Sequence, residues 1–422
     1  MDREKLLNTG DLDHKLLFIV PVLFLSILLH QSSELFGINL SFADFFCVFI
    51  LVILVISHQL QLPIFPLIFF LIVSSIVIIT STFYVPMVFN IDINPKGIIS
   101  DFLKLIALLV YFIIGFNLYR LDLMEKTLKW YSLFGMLIGL IGIMTTLLNI
   151  NLLSEILYYS DTRYRGLMID PNYYSVLQIT AFIYFSRAKS IRFQYKVLAL
   201  LITLITVLTS GSKTGLITLS CYLAFRIIEY LFKQNKKGSV ILIQMTMITL
   251  LILVVPMLFH YLPKLIMIIG SIIPTFDRVQ LLFTDFSSAI SESGSGRNIT
   301  WIVALQVIQL SPLIGVGIGT YSNIASKLYY SNDIPHNTFL QLSAEWGIPL
   351  AFLFFGYVIF LLVRISNSRS SMNLTINLVL RDIILVLLVA SMAISLNNAR
   401  ILWLVLGALV CSLNRNNIFI RR

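Results

Sequence analysis

Residues 63–80 have the sequence PIFPLIFFLIVSSIVIIT, eighteen positions without one charged side chain. A helix rises about 1.5 Å per residue, so this run nearly crosses the ~30 Å hydrocarbon core of a bilayer. In hydrocarbon a helix satisfies its own backbone hydrogen bonds, whereas an open sheet edge does not. The stretch therefore predicts a membrane-spanning helix.

Apolar runs of similar length recur along the whole chain. Its 422 residues are 58% apolar and only 12% charged, against about 25% charged in a soluble domain. We therefore predict an all-α, polytopic integral membrane protein with about twelve transmembrane helices. The first run is expected to be retained, because no small-x-small cleavage site follows it. The predicted spans are approximately 16–30, 42–57, 63–80, 98–117, 130–150, 172–186, 193–210, 214–232, 240–258, 337–363, 380–396 and 399–413.

The lysines and arginines predict how these helices are oriented. With the N-terminus in the cytoplasm, 19 of the 30 Lys and Arg residues fall in inner loops and nine in outer loops. Such residues concentrate on the cytoplasmic side of membrane proteins, so we expect both termini there. The net charge of +10 is then a topology signal and needs no nucleic-acid partner. We predict one membrane domain over 1–422, with an extracytoplasmic loop at 259–335 that carries a short interfacial helix near 299–310.

Several outer cations stand beside glycine-rich or polar residues, which indicates an anion site. In the large outer loop, the sequence SGSG at 293–296 precedes Arg297 at a predicted helix start. Flexible backbone amides and a planar guanidinium can converge there on one anion, and the guanidinium fork suits pyrophosphate. The alternative is a solvated turn in which Arg297 reaches the membrane surface.

A second candidate group begins the tenth predicted span. His336 is expected at the outer water boundary, directly before Asn337. Asn337, Gln341 and Glu345 recur at every fourth position and so share one helix face. An ionisable group at the depth of Glu345 normally faces a cavity or a partner. The alternatives are a helix cap for His336 and an internal ion pair for Glu345.

Four more outer cations are candidates for binding an anion. Lys213 begins a span after a tight turn, where a helix N-terminus attracts negative charge, although it can also be a simple turn residue. Arg163 and Arg165 are candidates for a phosphate or an acidic sugar, and the DPN triplet at 170–172 behind them predicts a helix cap. Arg400, in a short outer turn before the last span, is either an anchor or a ligand.

The glycine-rich segments do not predict nucleotide binding. The G-x-G-x-G pattern at 315–319 lacks a strand–helix–strand context, so we predict a tight re-entrant turn packed against the bundle. The sequence SGSKTG at 210–215 lacks the upstream glycine of a phosphate loop. Gly135 and Gly139 have the spacing of a helix-packing pair. No cluster of metal-binding spacing occurs, so we expect neither metal nor cofactor.

Together these motifs resemble the bacterial O-antigen polymerase (Wzy-type) and O-antigen ligase family of polysaccharide-assembly membrane enzymes. The resemblance is strong over 160–415, and before that it is limited to hydropathy. At Lys213 the family often has arginine, so this correspondence is weaker. The resemblance rests on Gly296-Arg297 with Trp301, the turn from Pro312 to Gly319, and His336-Asn337 followed by Glu345-Trp346-Gly347.

The resemblance implies a metal-independent glycosyltransferase of the bacterial plasma (inner) membrane. Its substrate would be an oligosaccharide linked to undecaprenyl pyrophosphate, transferred on the outer face of the membrane. Flippase and chain-length regulator proteins would be further partners. Arg297, with Lys213 and either Arg165 or Arg400, would hold the pyrophosphate and stabilise the leaving group.

The same resemblance implies roles for the remaining candidates. His336 would accept the proton of the attacking sugar hydroxyl or orient that hydroxyl, because imidazole titrates near neutral pH. Trp301 and Tyr321 would stack on sugar rings.

Three functions are open at this stage. We predict a polymerase of lipid-linked repeat units of O-antigen, capsular or exopolysaccharide type, because nothing singles out a second acceptor site. A ligase that transfers finished glycan to another acceptor is the first alternative. A flippase or transporter of polysaccharide precursors, from a different class, would show two pseudo-equivalent halves, which the sequence lacks.

Overall fold

The computed structural model describes residues 17–420 apart from 36–37, 149–152, 161, 233–260, 262–263, 265–296, 332 and 368–373. Within these ranges the regular secondary structure is helical except for two short antiparallel strand pairs, which the all-α prediction did not include. The strands are β1 (Ser33–Leu35) with β2 (Ile38–Leu40), and β3 (Tyr158–Tyr159) with β4 (Arg163–Tyr164). The helices are α1 (Leu17–Leu28), α2 (Phe42–Ile56), α3 (Ile64–Phe89), α4 (Pro95–Arg120), α5 (Met124–Leu147), α6 (Ser154–Leu157), α7 (Pro171–Arg187), α8 (Phe193–Thr209), α9 (Lys213–Leu231), α10 (Arg297–Leu310), α11 (Tyr321–Tyr329), α12 (Thr338–Trp346), α13 (Ile348–Asn367), α14 (Leu374–Ala390) and α15 (Arg400–Ile420).

The helices have the length and composition of membrane spans, as the apolar runs predict. Among the described residues, α3, α4, α5, α9 and α13 are long and apolar enough to cross a bilayer. Shorter apolar helices include α1, α2, α8 and the first part of α15. The multi-pass helical class is therefore borne out. The total of twelve stays a prediction, since the expected span 240–258 and much of the loop 259–335 lie outside the described residues.

Two predicted spans are wrong in their boundaries. The span expected at 380–396 is α14, Leu374–Ala390, because the chain then turns to meet the start of α12, where the Ser391 carbonyl accepts from the Thr338 N–H at 2.8 Å. The expected continuous helix over 337–363 is divided at Gly347 into the short helix α12 and the span α13. Gly347 has φ +83°, outside the helical region, and a Cβ there would lie 2.4 Å from the carbonyl oxygen of Leu313. Pro349 then occupies the first turn of α13, where its missing N–H removes no helical hydrogen bond. Backbone conformation thus overrides the continuous hydropathy of this stretch.

Small residues let the central helices approach closely. A Cβ on Gly115 of α4 would lie 1.8 Å from the carbonyl oxygen of Leu404 on α15, and one on Gly407 would lie 1.9 Å from that of Phe112. On α5, a Cβ at Gly139 would come within 2.5 Å of the Thr206 hydroxyl on α8. Such contacts are typical of helix packing in membranes, as predicted for Gly139.

A network of ion pairs joins the C-terminal ends of α7 and α9 to α14. Arg187 contacts Asp382 at 2.7 Å and Glu229 at 2.5 Å, and Arg381 contacts Glu229 at 2.6 Å. Asp382 is fully buried. A carboxylate buried this deeply needs such partners, because burial without them is very costly. The network therefore fixes the relative positions of the three helices at one end of the bundle.

Candidate functional site

A cavity of about 880 Å³ lies at the opposite end of these helices. Asp170 and Lys213, at the N-terminal ends of α7 and α9, line it, whereas the ion network occupies their C-terminal ends. Residues of α4, α10, α11 and α12 and of the turn before α15 complete its wall. The cavity thus collects most of the residues that the sequence predicts for the outer face.

The start of α9 forms the centre of one wall. Ser212 is the N-cap residue, and its hydroxyl accepts a hydrogen bond from the Gly215 N–H at 2.9 Å. Gly211, with φ +57°, makes the preceding turn. Lys213 is the first helical residue and lines the cavity. A lysine at a helix N-terminus adds its charge to the positive end of the helix dipole, which favours an anionic ligand.

Arg297 lies against this helix start from the other side. It is the first residue of α10, and its Nη2 donates to the Thr214 hydroxyl at 3.1 Å. Partial burial lowers the pKa of the guanidinium, while the nearby Asp170 carboxylate raises it. Two cations, Arg297 and Lys213, therefore line the cavity at neighbouring helix starts. We call the end of the cavity that is lined by Lys213, Arg297 and His336 the cationic pole.

His336 completes the cationic pole from the segment that leads into α12. It lines the cavity and has φ +48°, a left-handed conformation that is rare for a side chain of this size. Burial and the Arg297 charge lower the pKa of His336, against the opposing effects of Asp170 and Asp333. The imidazole is therefore neutral at pH 7 and can accept a proton.

Neighbouring groups hold this segment in place. Asn337 is the N-cap of α12, where its Oδ1 accepts from the Leu340 N–H at 3.1 Å, and its Nδ2 donates to the Met392 carbonyl at 3.0 Å. The Thr300 hydroxyl donates to the Pro335 carbonyl at 3.4 Å and so connects the segment to α10. Asn337 therefore acts as a cap and brace next to the cavity, and it does not line the wall.

A second polar group lines the cavity further along α12. The Gln341 Nε2 donates to Glu345 Oε1 at 2.9 Å, so these two residues share a face as predicted. On α4, Lys104 pairs with Asp101 at 2.8 Å, and Tyr321 begins α11. All five residues line the cavity. We call Asp101, Lys104, Tyr321, Gln341 and Glu345 the carboxyl pole.

The predicted re-entrant turn supports the carboxyl pole from behind. The N–H of Val316 donates to the Ala344 carbonyl at 2.8 Å, and that of Gly317 donates to the Glu345 carbonyl at 2.9 Å. Gly317 has φ +77°, and a Cβ there would lie 2.2 Å from the Ser81 hydroxyl oxygen and 2.5 Å from the Val77 carbonyl oxygen. The turn thus joins α12 to α3 through backbone contacts that leave no room for a side chain.

Two predicted cations are held by protein groups. Arg163 is buried, and its Nε donates to the Ser210 carbonyl at 3.2 Å while its Nη2 donates to Asn172 Oδ1 at 3.1 Å. Arg400 donates two hydrogen bonds to the Asp44 carboxylate, from Nε at 2.6 Å and from Nη2 at 2.7 Å. Both arginines still line the cavity, so they shape its wall and contribute charge to it.

Two other predicted site residues lie away from the cavity lining. Arg165 donates to the carbonyls of Glu155 at 2.7 Å and Ile156 at 3.2 Å, so its guanidinium braces the local loop. Trp301 lies one turn after Arg297 on α10, and its buried indole N–H has no hydrogen-bond partner among the described residues. Asp170 caps α7 by accepting from the Asn172 N–H at 3.1 Å, which is the predicted capping role.

Sequence reasoning missed the cavity residues in the first third of the chain. Asp101 and Lys104 line the cavity and fall inside a predicted span. Asp44, which binds the cavity residue Arg400, falls at the start of another predicted span. A signal for the first two was available, because an acid and a base three positions apart in an apolar helix are unusual. In the described part of the chain, no three His, Cys, Asp or Glu side chains come together to hold a metal ion.

One segment of the chain is similar to a known protein family. Residues 198–355 match the family model Wzy_C, described as O-antigen ligase. No curated protein matches the chain. The matched segment includes Lys213, Arg297, His336 and Glu345, which belong to both poles of the cavity. Over residues 198–355 the chain is therefore similar to the O-antigen ligase family, as the resemblance predicted.

Proposed function

We propose that the protein polymerises lipid-linked oligosaccharide repeat units on the outer face of the bacterial plasma membrane. The donor would be glycan on undecaprenyl pyrophosphate, and the acceptor a sugar hydroxyl of another lipid-linked unit. This proposal rests on one observation. Arg297, His336 and Lys213, the last at the start of α9, line the same cavity. Both termini would then be cytoplasmic and the cavity extracytoplasmic.

The cationic pole supplies what this reaction needs. The diphosphate would lie between Arg297 and Lys213, where the guanidinium, the ammonium and the helix start favour negative charge. These groups stabilise the charge that develops on the diphosphate as it leaves the anomeric carbon. No metal is required in this scheme, because the cations are part of the chain.

His336 would provide the matching proton acceptor. The acceptor hydroxyl oxygen attacks the anomeric carbon of the donor, and the bond from that carbon to the diphosphate oxygen breaks. The hydroxyl proton passes to the neutral imidazole of His336, whose pKa is lowered by burial and by Arg297. The lipid diphosphate leaves with its additional negative charge next to Arg297.

Reconstitution tests this proposal. Purified protein in vesicles, supplied with a lipid-linked repeat unit, is expected to produce a ladder of longer lipid-linked glycans. Arg297→Ala should lower kcat by about 10²–10³, as is usual when a donor to a developing anion is removed. Lys96→Ala is the matched control, since Lys96 is an exposed lysine in the first turn of α4, at the cavity end of that helix, and does not line the cavity.

Normal elongation by the Arg297→Ala protein would contradict the proposed role of Arg297 in stabilising the leaving diphosphate. Movement of the lipid-linked unit across the vesicle membrane without elongation would instead identify a transporter.

A ligase is the second candidate, because the matching family model is described as O-antigen ligase. A ligase would give no ladder from repeat units alone and would transfer finished glycan once to a separate acceptor. In cells that lack the protein, a polymerase predicts accumulation of single lipid-linked units, whereas a ligase predicts accumulation of full-length lipid-linked polymer.

A further inference from the structure

The cavity has two poles of different chemistry, and the proposed transfer uses only one. The cationic pole suits a diphosphate. At the carboxyl pole, burial raises the pKa of Glu345 to about 8, so its carboxyl is mostly protonated at pH 7, and the Lys104 ammonium is paired with Asp101. A diphosphate is therefore directed to one end, and the other end suits a ligand that carries no negative charge.

Two buried polar atoms of the carboxyl pole point to such a ligand. Tyr321 is 4% exposed and Gln341 is 8% exposed. The Tyr321 hydroxyl and the Gln341 Oε1 have no hydrogen-bond partner among the described residues, although both side chains line the cavity. Buried polar groups in proteins are almost always paired, so each exception calls for an explanation. A bound ligand with hydroxyl groups would satisfy both atoms.

The donors and acceptors of the carboxyl pole match sugar hydroxyls. Each sugar hydroxyl both donates and accepts a hydrogen bond. Carboxyl oxygens of Glu345 and Asp101 accept, the Lys104 ammonium donates, and the Tyr321 hydroxyl can do either. The Gln341–Glu345 and Asp101–Lys104 contacts keep these groups in place before a ligand arrives.

The position of the carboxyl pole relates it to the attacking hydroxyl. Glu345 lies seven residues after Thr338, the first residue of α12, or about 10 Å along the helix. His336 lies two residues before Thr338. A glycan that lies along α12 can therefore present its terminal hydroxyl to His336 while a further sugar occupies the carboxyl pole.

We propose that the carboxyl pole, formed by Asp101, Lys104, Tyr321, Gln341 and Glu345, is the binding subsite for an uncharged, hydroxyl-rich sugar of the acceptor glycan. This inference rests on the proposed function and adds a specificity site to it. The subsite selects against an acidic sugar at that position, because Lys104 is already paired with Asp101 and does not offset the cost of burying the sugar's carboxylate.

Acceptor kinetics test the subsite separately from the donor site. An alkyl glycoside of the repeat unit, which lacks a diphosphate, acts only as acceptor. A lipid-linked unit blocked at the attacking hydroxyl acts only as donor. Tyr321→Phe is expected to raise the acceptor KM roughly fivefold, and Glu345→Leu, which removes both carboxyl oxygens, roughly tenfold, with the donor KM unchanged. Tyr330→Phe is the matched control, because Tyr330 is 95% exposed at the end of α11 and lies outside the cavity lining.

A second measurement uses the charge of the Lys104–Asp101 pair. Wild-type protein should prefer the neutral acceptor over its uronic-acid counterpart, and Asp101→Asn should reduce this preference, because it releases the Lys104 ammonium to bind the acidic sugar. An unchanged acceptor KM in both Tyr321→Phe and Glu345→Leu, with wild-type elongation intact, would overturn the subsite alone. Absence of elongation by the wild-type protein would instead overturn the proposed function. Thermal unfolding of each variant in detergent separates a loss of binding from a loss of folding.

Discussion

The chemistry expected of His336 depends on the charges around it more than on the residue type. The Arg297 guanidinium and partial burial lower its pKa, whereas Asp170 and Asp333 raise it. The net effect keeps the imidazole neutral at pH 7, so it can serve as a base. A free histidine has a pKa of about 6.5 and would be partly protonated in mildly acidic surroundings.

This arrangement predicts the pH dependence of elongation. Activity requires neutral His336, so it should be present above the pKa of that residue and lost as the pH falls through it, below the ordinary value of about 6.5. Arg297→Met removes the cation that lowers this pKa, so the acid limb of the residual activity should move to higher pH. Asp333→Asn should move it to lower pH. Rates measured from pH 4.5 to 8 with saturating donor check both shifts, and shifts in the opposite directions would contradict the role of His336.

The residues that sequence alone could place are those fixed by their immediate neighbours. The N-cap role of Asp170 and the helix-start position of Lys213 follow from local sequence, and the structure has both. The partner of Arg400 could not be predicted in this way, because Asp44 lies 356 positions away in the chain. The catalytic and binding roles remain predictions, although most of the candidate residues share one cavity.

Among the elements, the turn at 312–319 explains why the long apolar stretch after His336 is not a single helix. Its backbone occupies the space beside Gly347, and the Pro312 carbonyl accepts from the Ile348 N–H at 2.8 Å. Hydropathy detects that residues are apolar, but it carries no information on such contacts between distant segments. The predicted packed turn has the expected location, and the helix break next to it was missed.

The glycine conformation in this turn can be tested by substitution. Gly317→Ala places a methyl group against Ser81 and Val77 at φ +77°, so we expect a loss of about 1–3 kcal/mol in stability, with more from the clash. Gly356→Ala is the matched control, because Gly356 lies in α13 and an added Cβ meets no atom within 4 Å. Thermal unfolding in detergent should show a lower midpoint for the first variant only. Equal midpoints would show that the turn does not need glycine at 317.

Across the whole molecule, charges are sorted to the two ends of the helix bundle. The Arg187–Asp382 network lies at one end, and the cavity with Arg297 and Lys213 lies at the other. The count of lysines and arginines along the sequence predicts the same division between inner and outer loops.

Cysteine labelling can establish the orientation. The three native cysteines, of which Cys47 and Cys411 are buried, are first replaced by alanine. Lys96→Cys at the cavity end and Lys189→Cys at the network end are then made at exposed positions. A membrane-impermeant maleimide should label position 96 in intact spheroplasts and position 189 only after the membrane is opened. The reverse pattern would place the cavity inside the cell and exclude the proposed reaction.

The turn at 312–319 meets its neighbours chiefly through main-chain atoms. Gly315 packs against the Glu345 and Gly347 backbone, and Gly319 packs against the backbone of Gly97 and Ile98. Apart from Ser81, whose hydroxyl donates to the Ile318 carbonyl at 2.8 Å, side chains on the surrounding helices are not needed to hold this scaffold. The residues that line the cavity can therefore change in evolution while the backbone frame that carries them stays constant.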